Sequence, residues 1–215
     1  ITMAEDFGIE GRGAFYDGVG AIRDVLQNHL LQVLALIAME PPADMSAESM
    51  EMEKLKVFRA ISALTPNEVV RGQYVGYLEE PGVKEHSQTE TFVAAKVHVD
   101  SWRWADVPFY IRTGKALNET MLEVIVEFKQ PPRMLFAETQ EASPNILRFR
   151  LGKKDGVDIE LMAKAPGDHL STIPVQLNVE FSAALGERQE AYERLIRAAM
   201  LGDHMRFTRI DSVLE

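Results

Sequence analysis

Residues 18–40 constrain this chain more than any other stretch, because they read as one long helix that is apolar on nearly every side. Ile22, Val25, Leu26, Val33, Leu36 and Ile37 recur at helical spacing as one broad stripe. Leu31 and Leu34 add a second apolar side, which predicts a helix enclosed rather than half exposed. Yet Arg23, Asp24, Gln27, Asn28, His29 and Gln32 share the same turns. Buried polar groups need partners, and an unpaired buried charge is costly. The helix is therefore expected to run beside a polar site. Pro41-Pro42 ends it, since proline offers no donor and restricts the residue before it. Its length would be roughly 34 Å at about 1.5 Å per residue.

Ahead of the helix, Ile1-Thr-Met reads as the tail of a strand already under way, so the chain is expected not to open at a natural start. Gly8, Gly11, Gly13 and Gly18 mark turns or close backbone approach, and Asp17 reads as the helix N-cap. A second helix is expected over 46–63, with Met50, Leu55, Val57, Phe58 and Ile61 inward and Lys54, Lys56 and Arg59 toward solvent. The pattern then changes to period two. Strands are expected over 68–77, 91–100, 107–113, 121–129, 146–151, 157–163 and 175–182, with 131–145 as the longest loop. Leu122, Val124, Val126 and Phe128 alternate with polar residues, as do Val175, Leu177, Val179 and Phe181. Such alternation favours antiparallel pairing, with one face on a core and the other toward water or a partner. A last helix is expected over 190–201.

Helices, then strands, then a helix make an α+β pattern: a large, mostly antiparallel sheet with helices packed on one face. The βαβ alternation of a Rossmann unit is missing. The absence of any repeat or linker reads as one domain over 1–215.

The 215 residues can support one sizeable core. A formal charge of −10 disfavours general nucleic-acid binding, which relies on a basic face. It leaves room for a small anion held by a few cations. No run of eighteen apolar residues suggests a membrane span, and no basic-then-apolar leader is present. Cysteine is absent, which excludes disulfides and thiolate chemistry and fits a reducing, cytoplasmic setting.

Neither glycine-rich turn completes G-x-G-x-x-G, and no phosphate-binding G-x-x-x-x-G-K-[ST] occurs, so no cofactor site is expected within the chain itself. His29 is either a satisfied core histidine or a functional one; the polar neighbours Asp24, Gln27 and Asn28 favour function. On an α-helix, Asp24 and His29 would point about 140° apart, so an orienting carboxylate for His29 is expected from another element. No second histidine stands at metal-ligand spacing. Glu5 sits where a strand ends, and Lys115 follows Gly114 at the end of another. Taken singly, each also reads as an ordinary surface residue.

Several motifs in order carry a family resemblance: Glu10-Gly-Arg-Gly, Tyr16-Asp, Ile22-Arg-Asp-Val-Leu-Gln-Asn-His29-Leu-Leu-Gln, Arg71-Gly-Gln-Tyr74, Val107-Pro-Phe-Tyr-Ile-Arg-Thr-Gly-Lys-Ala-Leu117, Ala191-Tyr-Glu-Arg-Leu-Ile196 and Phe207-Thr-Arg-Ile-Asp211. Over nearly its full length the chain resembles the C-terminal domain of glucose-6-phosphate dehydrogenase. The resemblance implies oxidation of glucose 6-phosphate to the lactone in the pentose phosphate pathway, with hydride transfer to NADP. It implies that His29 is the general base on the anomeric hydroxyl, that Glu5 and Asp24 bind sugar hydroxyls, and that Lys115 contacts the substrate. It also implies that NADP, and the carboxylate orienting the histidine, belong mainly to an N-terminal domain absent from this chain, so that the isolated domain is inactive. Assembly as a homodimer or tetramer through the sheet follows as well.

Besides lacking that N-terminal domain, the chain departs from the family pattern in two further places. Thr120 stands where many relatives carry a basic residue, followed by Met121. Some members bind a second, structural NADP on this domain; Arg112 and Arg150 match parts of such a site, but Glu160-Leu-Met replaces a basic cluster and no such site is expected. The competing reading is a non-catalytic oligomerisation or sugar-phosphate-binding module.

Overall fold

The computed structural model describes residues 1–130, 143–152, 154–169, 171–186 and 190–215. Most of the loop expected over 131–145 lies outside them. Read from sequence as one domain, the chain divides by its contacts into two compact units, Ile1–Thr120 with Gln189–Glu215, and Met121–Arg188.

In the first unit, strand β1 (Thr2–Ala4) lies parallel to β4 (Phe109–Gly114), and β4 pairs antiparallel with β3 (Phe92–Val97), which pairs antiparallel with β2 (Val69–Gly72). The register sets Ala4 beside Gly114, so the two parallel strands end together. β2 is shorter than the alternation predicts. Beyond Gly72 the Tyr74 N–H bonds the Thr91 hydroxyl rather than a strand, and Gly76 turns the chain at φ +92°. The helices are α1 (Gly13–Tyr16), α2 (Leu31–Ala38), α3 (Ala47–Arg59), α5 (Ala191–Leu201) and α6 (Ile210–Leu214). Ser46 caps α3, its hydroxyl accepting from the Ser49 N–H at 3.2 Å. Lys54 is buried rather than solvated, because Glu51 and Gln32 pair with its ammonium and offset its desolvation.

The expected single α-helix of residues 18–40 is two geometries. Ile22–Leu30 is a π-helix that passes directly into α2. Its i→i+5 bonds, such as Leu31 N–H to the Leu26 carbonyl, widen each turn. The extra residue per turn slips the phase of everything downstream. Leu30 and Leu34 are thereby buried, while Leu36, in phase with the core on an α-helix, is 54% exposed. The helix is not enclosed: Arg23, Asn28 and His29 are exposed, and its buried face is Val25, Leu26, Leu30, Leu34, Ala35 and Ala38. Asp17 does not cap it either. Asp17 closes α1 and is buried, accepting from the hydroxyls of Tyr77 (3.0 Å) and Ser87 and from the Lys84 N–H.

The second unit contains β5 (Met121–Glu127), β6 (Ile146–Leu151), β7 (Gly156–Lys164) and β8 (Thr172–Glu180), paired antiparallel in chain order, with the short helix α4 (Phe181–Leu185). Register sets Val157 against Val179, Ile159 against Leu177 and Leu161 against Val175, so the apolar residues share one face. On the other face Arg148 pairs with Glu123 (2.7 Å) and Arg150 with Asp158 (3.0 Å). With pairing inside the units antiparallel except for β1 with β4, and no βαβ dinucleotide unit among the described residues, the fold is the expected α+β class.

Candidate active site

The site begins where β1 and β4 end. Their parallel register places the next residues, Glu5 and Lys115, side by side. The Glu5 N–H donates to the Gly114 carbonyl (3.0 Å), and the Leu117 N–H returns to the Glu5 carbonyl (2.9 Å). Gly114 has no side chain to obstruct this: a Cβ there would lie 2.7 Å from the Phe92 ring. The Lys115 ammonium donates to the Glu5 carboxylate at 2.5 Å. Lys115 is only 6% exposed, so it is no solvated surface lysine. It also lies 5.3 Å from the Tyr16 ring centre and 5.5 Å from that of Phe7, within cation–π range.

Tyr16 connects this pair to the π-helix. Its ring packs edge-on against Tyr77 at 6.3 Å, in the cluster with Ile9. Gly13, three residues earlier, meets the Pro81 carbonyl so closely that no Cβ would fit, which draws α1 against the 80–83 turn. Burial pushes the Tyr16 phenol far above its ordinary pKa; the carboxylates of Asp24, Glu90 and Glu5 push it further, Asp24 foremost among them. Its hydroxyl is buried and bonds no group among the described residues. Asp24 on the π-helix therefore belongs to the same electrostatic neighbourhood as Glu5.

The predicted residues are brought together unequally. Glu5 and Lys115 touch; Asp24 makes no hydrogen bond or ion pair with either among the described residues, and shares with Glu5 only its effect on the Tyr16 phenol. His29 is exposed and makes no hydrogen bond or ion pair among the described residues, with Asp24 or any other group. The wider π-turn narrows the expected angle between them, since residues five apart diverge less on it than the about 140° of an α-helix. Glu90, Tyr16 and Phe7 escaped the sequence reading as site residues. Only the position of Glu90 immediately before a strand hinted at it.

At Thr120 the hydroxyl is bonded to Asp6, whose N–H donates back to it at 3.0 Å. Arg112 donates to the Thr2 hydroxyl (3.1 Å), and Arg148 and Arg150 are each paired with a carboxylate. Among the described residues no three His, Asp or Glu side chains converge as a metal site, and no helix is long and apolar enough to cross a membrane.

Residues 1–215 match the family described as "Glucose-6-phosphate dehydrogenase, C-terminal domain". The chain is 46% identical over 214 residues to "Glucose-6-phosphate 1-dehydrogenase 1" of Mycobacterium tuberculosis, covering 99% of this chain and 45% of the relative. It is 44% identical to the glucose-6-phosphate 1-dehydrogenase of Dickeya dadantii, covering 100% of this chain and 48% of that one. A crystal structure of glucose-6-phosphate 1-dehydrogenase from Mycobacterium avium superposes with a TM-score of 0.89 at 46% identity, over 99% of this chain and 45% of the other. A glucose-6-phosphate dehydrogenase solved in complex with its substrate glucose 6-phosphate gives the same TM-score at 38% identity, again over 99% and 45%. The chain thus spans about half the length of the relatives it matches.

Proposed function

The chain belongs to the glucose-6-phosphate dehydrogenase family, as its C-terminal domain, and on that premise we propose that it is the substrate-binding part of an NADP-dependent enzyme of the cytoplasm that oxidises glucose 6-phosphate to the 6-phosphogluconolactone in the pentose phosphate pathway. The observation that carries this reading is the Glu5–Lys115 pair at the joint end of two parallel strands. A sugar hydroxyl both donates and accepts, so it suits a site offering a carboxylate acceptor and an ammonium donor together. Asp24 supplies a second carboxylate for the sugar. His29, exposed and free to meet a ligand, takes the proton of the anomeric hydroxyl as general base, which drives formation of the carbonyl as C1 loses its hydride.

NADP supplies the hydride acceptor. The residues of this chain do not fit it: neither glycine turn completes the fingerprint, and no βαβ unit occurs among the described residues. Its site is assigned to the other half of the parent, and the isolated chain is inactive. The test is His29→Asn in the full-length enzyme. Turnover of glucose 6-phosphate should fall by about 10²–10⁴-fold, the range for loss of a general base; near-intact turnover would remove His29 from the mechanism.

A second role is compatible with the first. The apolar face of β8 is open in this chain, with Val175, Leu177 and Val179 each 41–52% exposed, which favours assembly of two or more copies through the sheet.

A further inference from the structure

We propose that Glu90 is a positioning residue for the reaction, fixing the helix that carries Asp24 and His29 against the strand end that carries Lys115. The inference rests on the roles proposed above for those three residues. Glu90 receives two hydrogen bonds from the start of the helix. The Ala21 N–H donates to its carbonyl and the Ile22 N–H to its carboxylate, both at 3.0 Å. First-turn N–H groups have no partner within a helix, and a carboxylate there also suits the positive end of the helix dipole. Gly20 makes the approach possible. It turns at φ +73°, and a Cβ at that position would lie 2.5 Å from the Glu90 oxygen.

The neighbouring residue holds the other side. Thr91 is fully buried, its carbonyl accepts from the Lys115 N–H (3.0 Å), and its hydroxyl accepts from the Tyr74 N–H (2.8 Å). One dipeptide at the entry to β3 thus ties both walls of the site together. Ile22 is also the first residue of the π-helix. The wide i→i+5 geometry is rare, and its phase decides the side on which Asp24 and His29 emerge. Without an acceptor at Ile22, only the Ala21 bond to the Glu90 carbonyl is left to seat that first turn, and relaxation to i→i+4 bonding would change the side of the helix on which both residues emerge.

The test compares Glu90→Ala with Glu90→Gln in the full-length enzyme, by steady-state kinetics alongside thermal melting. Glu90→Ala should lower kcat by about a hundredfold, as small misplacements of reacting groups do, with a smaller change in KM for glucose 6-phosphate. Glu90→Gln keeps an oxygen that accepts the same bond and should recover most of the loss. Unchanged kcat in Glu90→Ala, or a lower melting temperature with wild-type kcat, overturns the proposal; so does a Gln variant as impaired as Ala. If Glu90→Ala does not fold, Gly20→Ala takes its place, because it presses on the same carboxylate: a loss of kcat supports the proposal and wild-type kcat overturns it. His29→Asn is measured in parallel. Full activity there overturns the underlying reading and this one together, whereas loss there with wild-type kcat in Glu90→Ala overturns the role of Glu90 alone.

Discussion

Lys115 donates to the carboxylate of Glu5, 110 positions earlier in the chain, at 2.5 Å, and the two side chains are 6% and 17% exposed. Removing one member of a buried pair leaves the other charged and unpartnered, at a cost of about 3–5 kcal/mol. Lys115→Met should therefore lower stability by that order, while the double variant Glu5→Gln with Lys115→Met should recover a large part of it. A double-mutant cycle by urea unfolding reads the coupling. Additive losses would show that the pair is not coupled in solution.

Tyr16 separates ring from hydroxyl. The ring supports the Lys115 ammonium and the Tyr77 edge contact, whereas the buried hydroxyl has no partner among the described residues. An unsatisfied buried polar group costs about 1–3 kcal/mol. Tyr16→Phe should thus raise stability by about 1 kcal/mol, and Tyr16→Ala should lower it by about 3–5 kcal/mol through loss of the packed ring. Denaturant midpoints decide between them; a Phe variant that unfolds earlier would mean the hydroxyl has a partner in solution.

Asp17 makes stability depend on pH. The Ser87 hydroxyl bond, with those from Tyr77 and the Lys84 N–H, holds its carboxyl below the ordinary value of 3.8. A carboxyl with a depressed folded pKa stabilises the fold fully above its unfolded pKa, and that contribution is lost as pH falls through the folded one. Asp17→Asn should therefore cost about 1.5–3 kcal/mol, the range for hydrogen bonds to a charged group, at neutral pH. The gap between wild type and variant should stay level down to pH 3.8 and close below it. Melting curves across that range test the sign; a gap that widens in acid would refute it.

The features legible in sequence are those set by near neighbours. Ser46 three residues before Ser49 announces the start of α3, and the alternation at residues 146–151 coincides with β6. What could not be read was set from a distance. The apolar spacing of residues 22–37 fits an α-helix, and the π-turn is seated by Glu90, 68 positions away from Ile22. Asp17 has the residue type and position of an N-cap, but Tyr77 and Ser87, 60 and 70 positions later, capture its carboxylate. The likeness to a known family brought Glu5, Asp24, His29 and Lys115 forward as a set. No local rule could have buried Lys115, because its carboxylate partner Glu5 follows another strand, 110 positions earlier.

Leu177 bears on the proposed association of copies through the sheet. On β8 it lies across from Ile159 and is 52% exposed, flanked on the same face by Val175 and Val179. Monomers rarely leave an apolar strip of this kind in water, and strips like it commonly mark an interface. Leu177→Glu would bring an unpaired carboxylate into such an interface, where burial without a partner is strongly unfavourable. In the full-length enzyme this variant should sediment as a smaller species than wild type at the same concentration. Gln176→Ser, on the opposite face of the same strand, should leave the association state unchanged. If both variants sediment as wild type does, β8 is not an assembly surface.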